Sequence, residues 1–138
     1  MYFISGGVFL LQKGRLLVRT YISNMLIPIE GTRVTITQNN GSGEEILAFR
    51  LTDENGKTEI LEIDTPDIEL SQDQTNTTTP YASVNIKVEK EGFVIFVIEN
   101  VQIFADRLSE QNIEMIPLPE KSGYDEFSNV FIVTPQNL

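Results

Sequence analysis

Apolar and polar residues alternate along most of this chain, and turn residues separate the alternating segments. The clearest case is YASVNIKVEK (Tyr81–Lys90), in which Val84, Ile86 and Val88 are apolar and their neighbours are polar. A period of two residues is that of a β-strand with one buried face. No segment shows 3.6-residue apolar spacing over the length of a helix. The pattern therefore predicts an all-β fold with little helix.

The same alternation predicts further strands. They are GRLLVRTYIS (Gly14–Ser23), TRVTITQ (Thr32–Gln38), EEILAFRLT (Glu44–Thr52), KTEILEI (Lys57–Ile63), FVIFVIENVQIF (Phe93–Phe104), QNIEMIPLP (Gln111–Pro119) and an optional eighth strand at Asn129–Thr134. Phe93–Phe104 is apolar on both faces, which is typical of a central or doubly covered strand. In the last core strand we expect Ile113 and Met115 to point inward. Short strands between regular turn signals indicate an antiparallel β-sandwich of seven to eight strands.

An apolar loop, NMLIPIEG (Asn24–Gly31), interrupts the alternation. Its Met25, Leu26 and Ile29 either cap one end of the core or form an exposed hydrophobic contact site. The sequence leaves both interpretations open.

A second irregular segment, DTPDIELSQDQTNTTTP (Asp64–Pro80), is polar, acidic and rich in threonine. A connection of this length in a compact β domain is usually functional or disordered, and the sequence does not separate the two. Binding residues collect on loops held by a rigid scaffold, so we expect this loop and Asn24–Gly31 to form a binding end of the sandwich. The candidate contact residues of the second loop are Asp67, Gln72, Asp73 and Asn76.

The acidic stretch TDENGKTEILEID (Thr52–Asp64) contains half of a calcium-loop pattern, Asp53, Asn55 and Gly56. A complete loop needs a third ligand before the glycine and a bidentate glutamate further along. Here the alternation of a strand resumes directly after Lys57. A hairpin turn, in which Asn-Gly supplies the left-handed backbone angles, accounts for these residues without a metal.

The amino-acid composition limits the chemical functions that the chain can have. The 138 residues, the length of one ordinary domain, include no cysteine and no histidine. This excludes disulfides and thiol nucleophiles, and it removes the commonest general base and transition-metal ligand. The net charge of −10 argues against a nucleic-acid partner, because Lys and Arg must neutralise the phosphate backbone. The acids are dispersed, which favours a solvated acidic surface over a patch for a basic partner.

Paired carboxylates of the kind that glycosidases use remain formally possible. The candidate carboxylates are Glu44, Glu45, Glu59 and Glu62. They fall on turns or on outward strand positions, and nothing in their surroundings suggests the raised pKa that a general acid needs. We therefore predict no catalytic residue, no metal and no cofactor. A small carboxylate-dependent hydrolase remains a remote alternative.

The two ends of the chain are less regular. MYFISGGVFLLQ is apolar but lacks a basic n-region and is too short to span a bilayer, so residues 1–13 are expected to form an arm or extra strand, with an export signal left open. Residues 14–120 would be the sandwich. Residues 121–138 would be an extension, strand or linker, in which Tyr124 and Phe127 are candidate surface-contact aromatics because their surroundings are polar.

Four segments together resemble a known family. They are PIEGTRVTI (Pro28–Ile36), LTDENGKTEI (Leu51–Ile60), VNIKVEKEGF (Val84–Phe93) and VIENVQIF (Val97–Phe104). In this order they are similar to the carboxypeptidase regulatory-like domain, and the resemblance implies a Greek-key sandwich of prealbumin (transthyretin) type. With QNIEMIPLPE (Gln111–Glu120), the chain resembles the accessory domain of spore cortex-lytic and peptidoglycan-associated proteins.

The resemblance implies a non-catalytic accessory or docking role in the spore or cell envelope, with a protein or cell-wall component as partner. A surface adhesin-type repeat is the alternative. Related adhesin repeats can cross-link a first-strand lysine to the last strand, whereas this chain has Arg15 and Arg19 in that strand. We therefore expect no isopeptide bond. The sequence does not predict the oligomeric state.

Overall fold

The computed structural model describes residues 2–4, 7–9, 12–66, 81–119 and 130–133. These residues form eleven β-strands and no helix. The strands are β1 (Tyr2–Ile4), β2 (Gly7–Phe9), β3 (Gln12–Ile22), β4 (Ile27–Pro28), β5 (Arg33–Asn39), β6 (Glu44–Leu51), β7 (Leu61–Thr65), β8 (Ala82–Glu89), β9 (Ile95–Ile103), β10 (Leu108–Glu114) and β11 (Val130–Val133). The predicted all-β class with little helix is confirmed.

Two sheets form the sandwich, and β1 and β2 pair as a small separate sheet. In the first sheet, β3 lies between β10 on one side and β7 and β4 on the other. The second sheet has the order β11-β9-β8-β5-β6. The predicted antiparallel β-sandwich is confirmed, and two strand pairs within it are parallel: β10 with β3, and β11 with β9. The chain crosses from the second sheet to the first between β9 and β10, and a strand that changes sheet is not held to hairpin pairing.

The core lies between the two sheets, where the apolar sides of the alternating strands meet. β5 and β8 contribute every second residue, as the period of two requires, whereas β3 and the bulged strand β6 also bury consecutive residues. The fully or nearly buried apolar side chains are Leu16, Val18, Val34, Ile36, Ile63, Val84, Ile86, Val88, Ile98, Val101, Ile103, Ile113 and Met115. The predicted inward faces of β8 and of the Gln111–Pro119 segment are confirmed. β9 pairs with β8 and β11, so its prediction as a central strand is also confirmed.

Candidate functional site

The β3–β4 hairpin ends in an apolar tip formed by residues 23–27, which we call the hairpin tip. Tyr21 and Ile22 of β3 pair with β4, and the Leu26 N–H donates to the Ser23 carbonyl at 3.0 Å to close the turn. Leu26 is 78% exposed, and Met25 and Ile27 are 41% and 49% exposed. Three consecutive apolar side chains therefore project into solvent at one end of the sandwich.

The backbone of the hairpin tip is strained. Ser23, Asn24 and Met25 have φ angles of 57°, 55° and 71°. A left-handed conformation costs an L-residue roughly 1–2 kcal/mol, and asparagine tolerates it better than serine or methionine. Strain of this kind persists where the surrounding structure enforces it, and it collects at functional segments. Folding alone would favour glycine at Met25.

A buried threonine network holds the base of the hairpin tip. The Ile29 carbonyl accepts hydrogen bonds from the hydroxyls of Thr20 at 3.1 Å and Thr52 at 2.8 Å. The Thr52 hydroxyl also accepts from the Thr32 N–H at 2.8 Å, and Thr20 and Thr32 are joined by a hydroxyl–hydroxyl bond of 3.1 Å. All three threonines are buried, so β3, the residue that follows β6 and the loop between β4 and β5 are fixed to one another. The tip is thus mounted on a rigid base.

The three residues predicted from the apolar loop separate into two environments. Met25 and Leu26 are exposed at the hairpin tip, whereas Ile29 is 7% exposed and belongs to the core. The Ile29 side chain is therefore part of the base and is not available on the surface. The other candidate contact residues, Asp67, Gln72, Asp73, Asn76, Tyr124 and Phe127, lie outside the described residues.

The two loops expected to share one end begin at opposite ends of the sandwich. Asn24–Gly31 follows Ile22, the last residue of β3. Asp64–Pro80 begins where Thr65 pairs with Gln12, the first residue of β3. A strand rises by about 3.3 Å per residue, so the eleven residues of β3 separate the two points by roughly 30 Å. The described start of the second loop, residues 64–66, therefore lies at the end of β3 opposite Asn24–Gly31, and the rest of that loop lies outside the described residues.

The acidic stretch around Asp53 is a turn. The Asp53 Oδ1 accepts the backbone N–H groups of Asn55 at 2.8 Å and Lys57 at 3.0 Å, and its carbonyl accepts the Gly56 N–H. The N–H of Lys57, followed by that of Asn55, lowers the pKa of Asp53 because both bonds favour the ionised carboxylate. The carboxylate that could have been a calcium ligand closes the turn instead.

This turn is a crossover and not the predicted hairpin. The strand before it, β6, pairs with β5 in the second sheet, and the strand after it, β7, pairs with β3 in the first. Gly56 lies directly against β3 with φ +76°, and its carbonyl accepts the Thr20 N–H at 2.8 Å. A Cβ atom there would overlap the Thr20 carbonyl oxygen. Docking on β3 explains why the chain changes sheets at this point.

The described acids form no metal site. Among residues 2–4, 7–9, 12–66, 81–119 and 130–133, no three acidic side chains are grouped so that they could hold an ion. Glu44, on the outer face of the second sheet, accepts hydrogen bonds of 2.9 Å from Asn85 and Thr37. These bonds, Asn85 first, lower the pKa of Glu44. A general acid at neutral pH needs a shift in the opposite direction.

A shallow groove of about 350 Å³ covers part of that outer face. Its side chains come from four strands and include Thr35, Thr37, Glu44, Asn85, Lys87, Ile95, Val97 and Glu99. The sequence did not predict this grouping, because it depends on the register of β5, β6, β8 and β9.

Comparisons with known proteins bear on the fold. No protein-family model matches the chain, and a search of the curated proteins finds no match. The minor pilin of Streptococcus agalactiae is similar in structure, with a TM-score of 0.52 and 12% identity over 87% of this chain and 51% of that chain. Catechol 1,2-dioxygenase from Acinetobacter sp. ADP1, solved with bound mercury, has a TM-score of 0.51 and 11% identity over 88% of this chain and 58% of that chain.

The enzyme from Acinetobacter radioresistens gives a TM-score of 0.50 and 15% identity over 88% of this chain and 58% of that chain. The chain thus spans just over half the length of the solved structures it matches. The likeness establishes a β-sandwich fold. Because a pilin and a dioxygenase share it, the fold does not select a function. The described residues include no helix that is long and apolar enough to cross a membrane.

Proposed function

We propose that this chain is a non-catalytic accessory module of a spore or cell-envelope protein, and that the hairpin tip docks it onto a protein partner. The observation that carries the proposal is the exposure of Leu26 and its apolar neighbours on a strained turn above a buried hydrogen-bonded base. Removing apolar surface from water favours association, and only the part that exceeds the costs of binding appears as affinity. A rigid base reduces the entropy lost on binding.

The chemistry of the hairpin tip favours a protein over a glycan. Bound sugars are held by hydrogen bonds and by stacking on aromatic rings, whereas Met25, Leu26 and Ile27 provide neither. Methionine fits irregular apolar surfaces because its side chain is unbranched and polarisable. An apolar pocket on a protein is the surface that such a tip fits best.

The envelope context rests on the resemblance of Leu51–Ile60, Val84–Phe93 and Gln111–Glu120 to the regulatory-like domain of peptidoglycan-associated proteins. The parent chain or partner would then act on peptidoglycan, and this module would position it. A non-catalytic role is supported by the use of Asp53 in a turn, and by the lowered pKa of Glu44.

A site-specific photo-cross-linker tests this proposal. One variant carries it at Leu26, and a matched control carries it at Leu108, an exposed leucine at the start of β10, where the strand pairs with Arg15 near the opposite end of β3. In the source cells we expect one discrete envelope or spore protein to be cross-linked from position 26 and not from position 108. Equal yields from both positions would contradict a docking role for the tip.

Binding to isolated envelopes provides a second measurement. Leu26→Ser should reduce co-sedimentation with envelopes about tenfold, whereas Leu108→Ser should leave it unchanged. Protein-free peptidoglycan separates the two classes of partner. Undiminished binding of the wild type to protein-free peptidoglycan would show that a glycan, and not a protein, is the partner.

A further inference from the structure

Among the described residues, strand β6 forms an open edge of the second sheet, and it carries an exposed apolar row. It ends the order β11-β9-β8-β5-β6, and among the described strands only β5 pairs with it. Ile46, Phe49 and Leu51 are 68%, 52% and 57% exposed. Natural proteins normally protect such an edge with charge, proline or a covering segment, because its unpaired backbone groups can accept another strand. An apolar row beside an open edge marks a surface for strand addition.

A β-bulge gives this edge strand a symmetric pattern of faces. Leu47 has no partner on β5, because the register shifts between Ile36 and Thr37. Leu47 and Ala48 consequently both face the core, and Ile46 and Phe49 on either side of them both face outward. Counting away from the Leu47–Ala48 peptide in either direction along β6, the first side chain faces the core, the second faces outward and the third is again on the core side.

Such a pattern suits pairing with a second copy of the same strand. Residues directly opposite each other in an antiparallel pair share a face. In a strand without a bulge, a two-fold axis that passes between two residues would place each core-facing residue of one copy opposite an outward-facing residue of the other copy. The bulge removes this mismatch, so a two-fold axis at the Leu47–Ala48 peptide sets Ile46 opposite Phe49 of the second copy, and Phe49 opposite Ile46.

The charges on β6 complement each other about the same axis. Glu45 and Arg50 are equally distant from it and have opposite signs. In the part of the chain that the structure describes, Arg50 makes no ion pair: its Nη1 donates a hydrogen bond of 3.0 Å to the Phe49 carbonyl, and its buried Nε has no hydrogen-bond acceptor. Glu45 accepts a long hydrogen bond of 3.4 Å from Asn40. Two-fold pairing would place each Glu45 opposite Arg50 of the other copy.

We propose that two copies of this chain associate through β6, antiparallel about an axis between Leu47 and Ala48, so that their five-stranded sheets join. The apolar pairs lie on the outer face and the ion pairs on the core side. A peptide of another protein could pair with the same edge, but only a second copy is guaranteed to place a cation opposite Glu45 and an anion opposite Arg50. This inference is independent of the hairpin tip.

Sedimentation equilibrium of charge-reversal variants tests the proposal. The wild type should form a dimer, and Glu45→Arg or Arg50→Glu should each raise its dissociation constant about tenfold or more. The variant with both substitutions should regain the wild-type constant, because the reversed charges again face each other. Arg107→Glu, with the same charge change in the turn before β10, should have no effect. A monomeric wild type, single variants without effect, or a double variant as weak as the singles would each overturn the proposal.

Disulfide trapping tests the register. The chain has no cysteine, so Ile46→Cys and Phe49→Cys proteins each contain one thiol. Opposite residues of an antiparallel pair have Cα atoms roughly 4.5–5.5 Å apart, within the range of a disulfide. Under mild oxidation, a mixture of the two proteins should cross-link at least several times more than either protein alone. Equal cross-linking in the separate and mixed samples would overturn the proposed register.

Discussion

Gly56 is a residue position at which a side chain is excluded by both backbone angle and space. A Gly56→Ala protein must adopt φ +76° with a Cβ, and that Cβ would overlap the Thr20 carbonyl oxygen. We expect a loss of roughly 2–4 kcal/mol in the free energy of unfolding, measured in urea. Gly92→Ala is the matched control, because Gly92 has φ +89° but open space around it, and it should lose only about 1 kcal/mol. Equal losses would mean that the turn is not docked on β3.

Asp53 should contribute to the pH dependence of stability. Its pKa is lowered in the folded protein by the N–H groups of Lys57 and Asn55. The stabilisation is therefore present above the unfolded pKa of roughly 3.9, and it is lost as pH falls through the lower folded value. Asp53→Asn keeps an oxygen acceptor but cannot ionise, so its free energy of unfolding should fall less steeply below about pH 4. Asp53→Ala should also lose stability at neutral pH. An unchanged acid slope in Asp53→Asn would contradict this account.

At the level of secondary-structure elements, the sequence predicts the properties that depend only on neighbouring residues, such as which face of a strand is buried. The alternation of Val84, Ile86 and Val88 specifies which face of β8 is buried, whatever its neighbours are. Pairing partners are not local. The turn at Asp53 was predicted, but its crossing to the other sheet depends on docking against Thr20. The bulge at Leu47 likewise depends on the register with β5, so the apolar outer row of β6 could not be predicted.

At the candidate site, too, the local feature was predictable and the tertiary contacts were not. The loop containing Met25, Leu26 and Ile29 was recognisable because apolar residues interrupt the alternation. Which of them faces solvent was not, since this depends on hydrogen bonds from Thr20 and Thr52 to the Ile29 carbonyl. These threonines are far apart in sequence, and nothing local indicates that they meet.

Met25 in the hairpin tip should lower the stability of the folded protein and contribute to binding of the partner. Met25→Gly removes an unfavourable φ of 71° and an exposed apolar side chain together. We expect the free energy of unfolding in urea to rise by up to about 1 kcal/mol, while binding to envelopes falls. Asp106→Gly is the control, because Asp106 has φ 59° in a turn near the other end of the sandwich. It should gain less stability than Met25→Gly, because aspartate tolerates a left-handed φ better than methionine does, and its binding should be unchanged. If Met25→Gly binds as tightly as the wild type, the strained methionine has no role in docking.

The two candidate surfaces, the hairpin tip and the apolar row of β6, lie in different parts of the molecule. The hairpin tip projects from one end of the first sheet, and the β6 row lies on the edge of the second sheet. Because the two surfaces belong to different sheets, self-association through β6 does not require the tip. A dimer would present two hairpin tips, and binding to a surface with several partner copies would gain from their effective concentration.

Net charge acts on the molecule as a whole. The described ion pairs, Lys13–Asp64 at 2.6 Å and Lys87–Glu89 at 3.7 Å, are solvent-exposed and contribute little. General repulsion from the net charge of −10 should therefore dominate the response to salt. Raising NaCl from about 0.01 M to about 0.15 M shortens the screening length from roughly 30 Å to roughly 8 Å, so the free energy of unfolding should rise. Urea titrations of the Phe49→Lys variant isolate this effect, because a lysine in the apolar row should prevent β6 pairing. A fall in its stability with salt would mean that attractive ion pairs outweigh the repulsion.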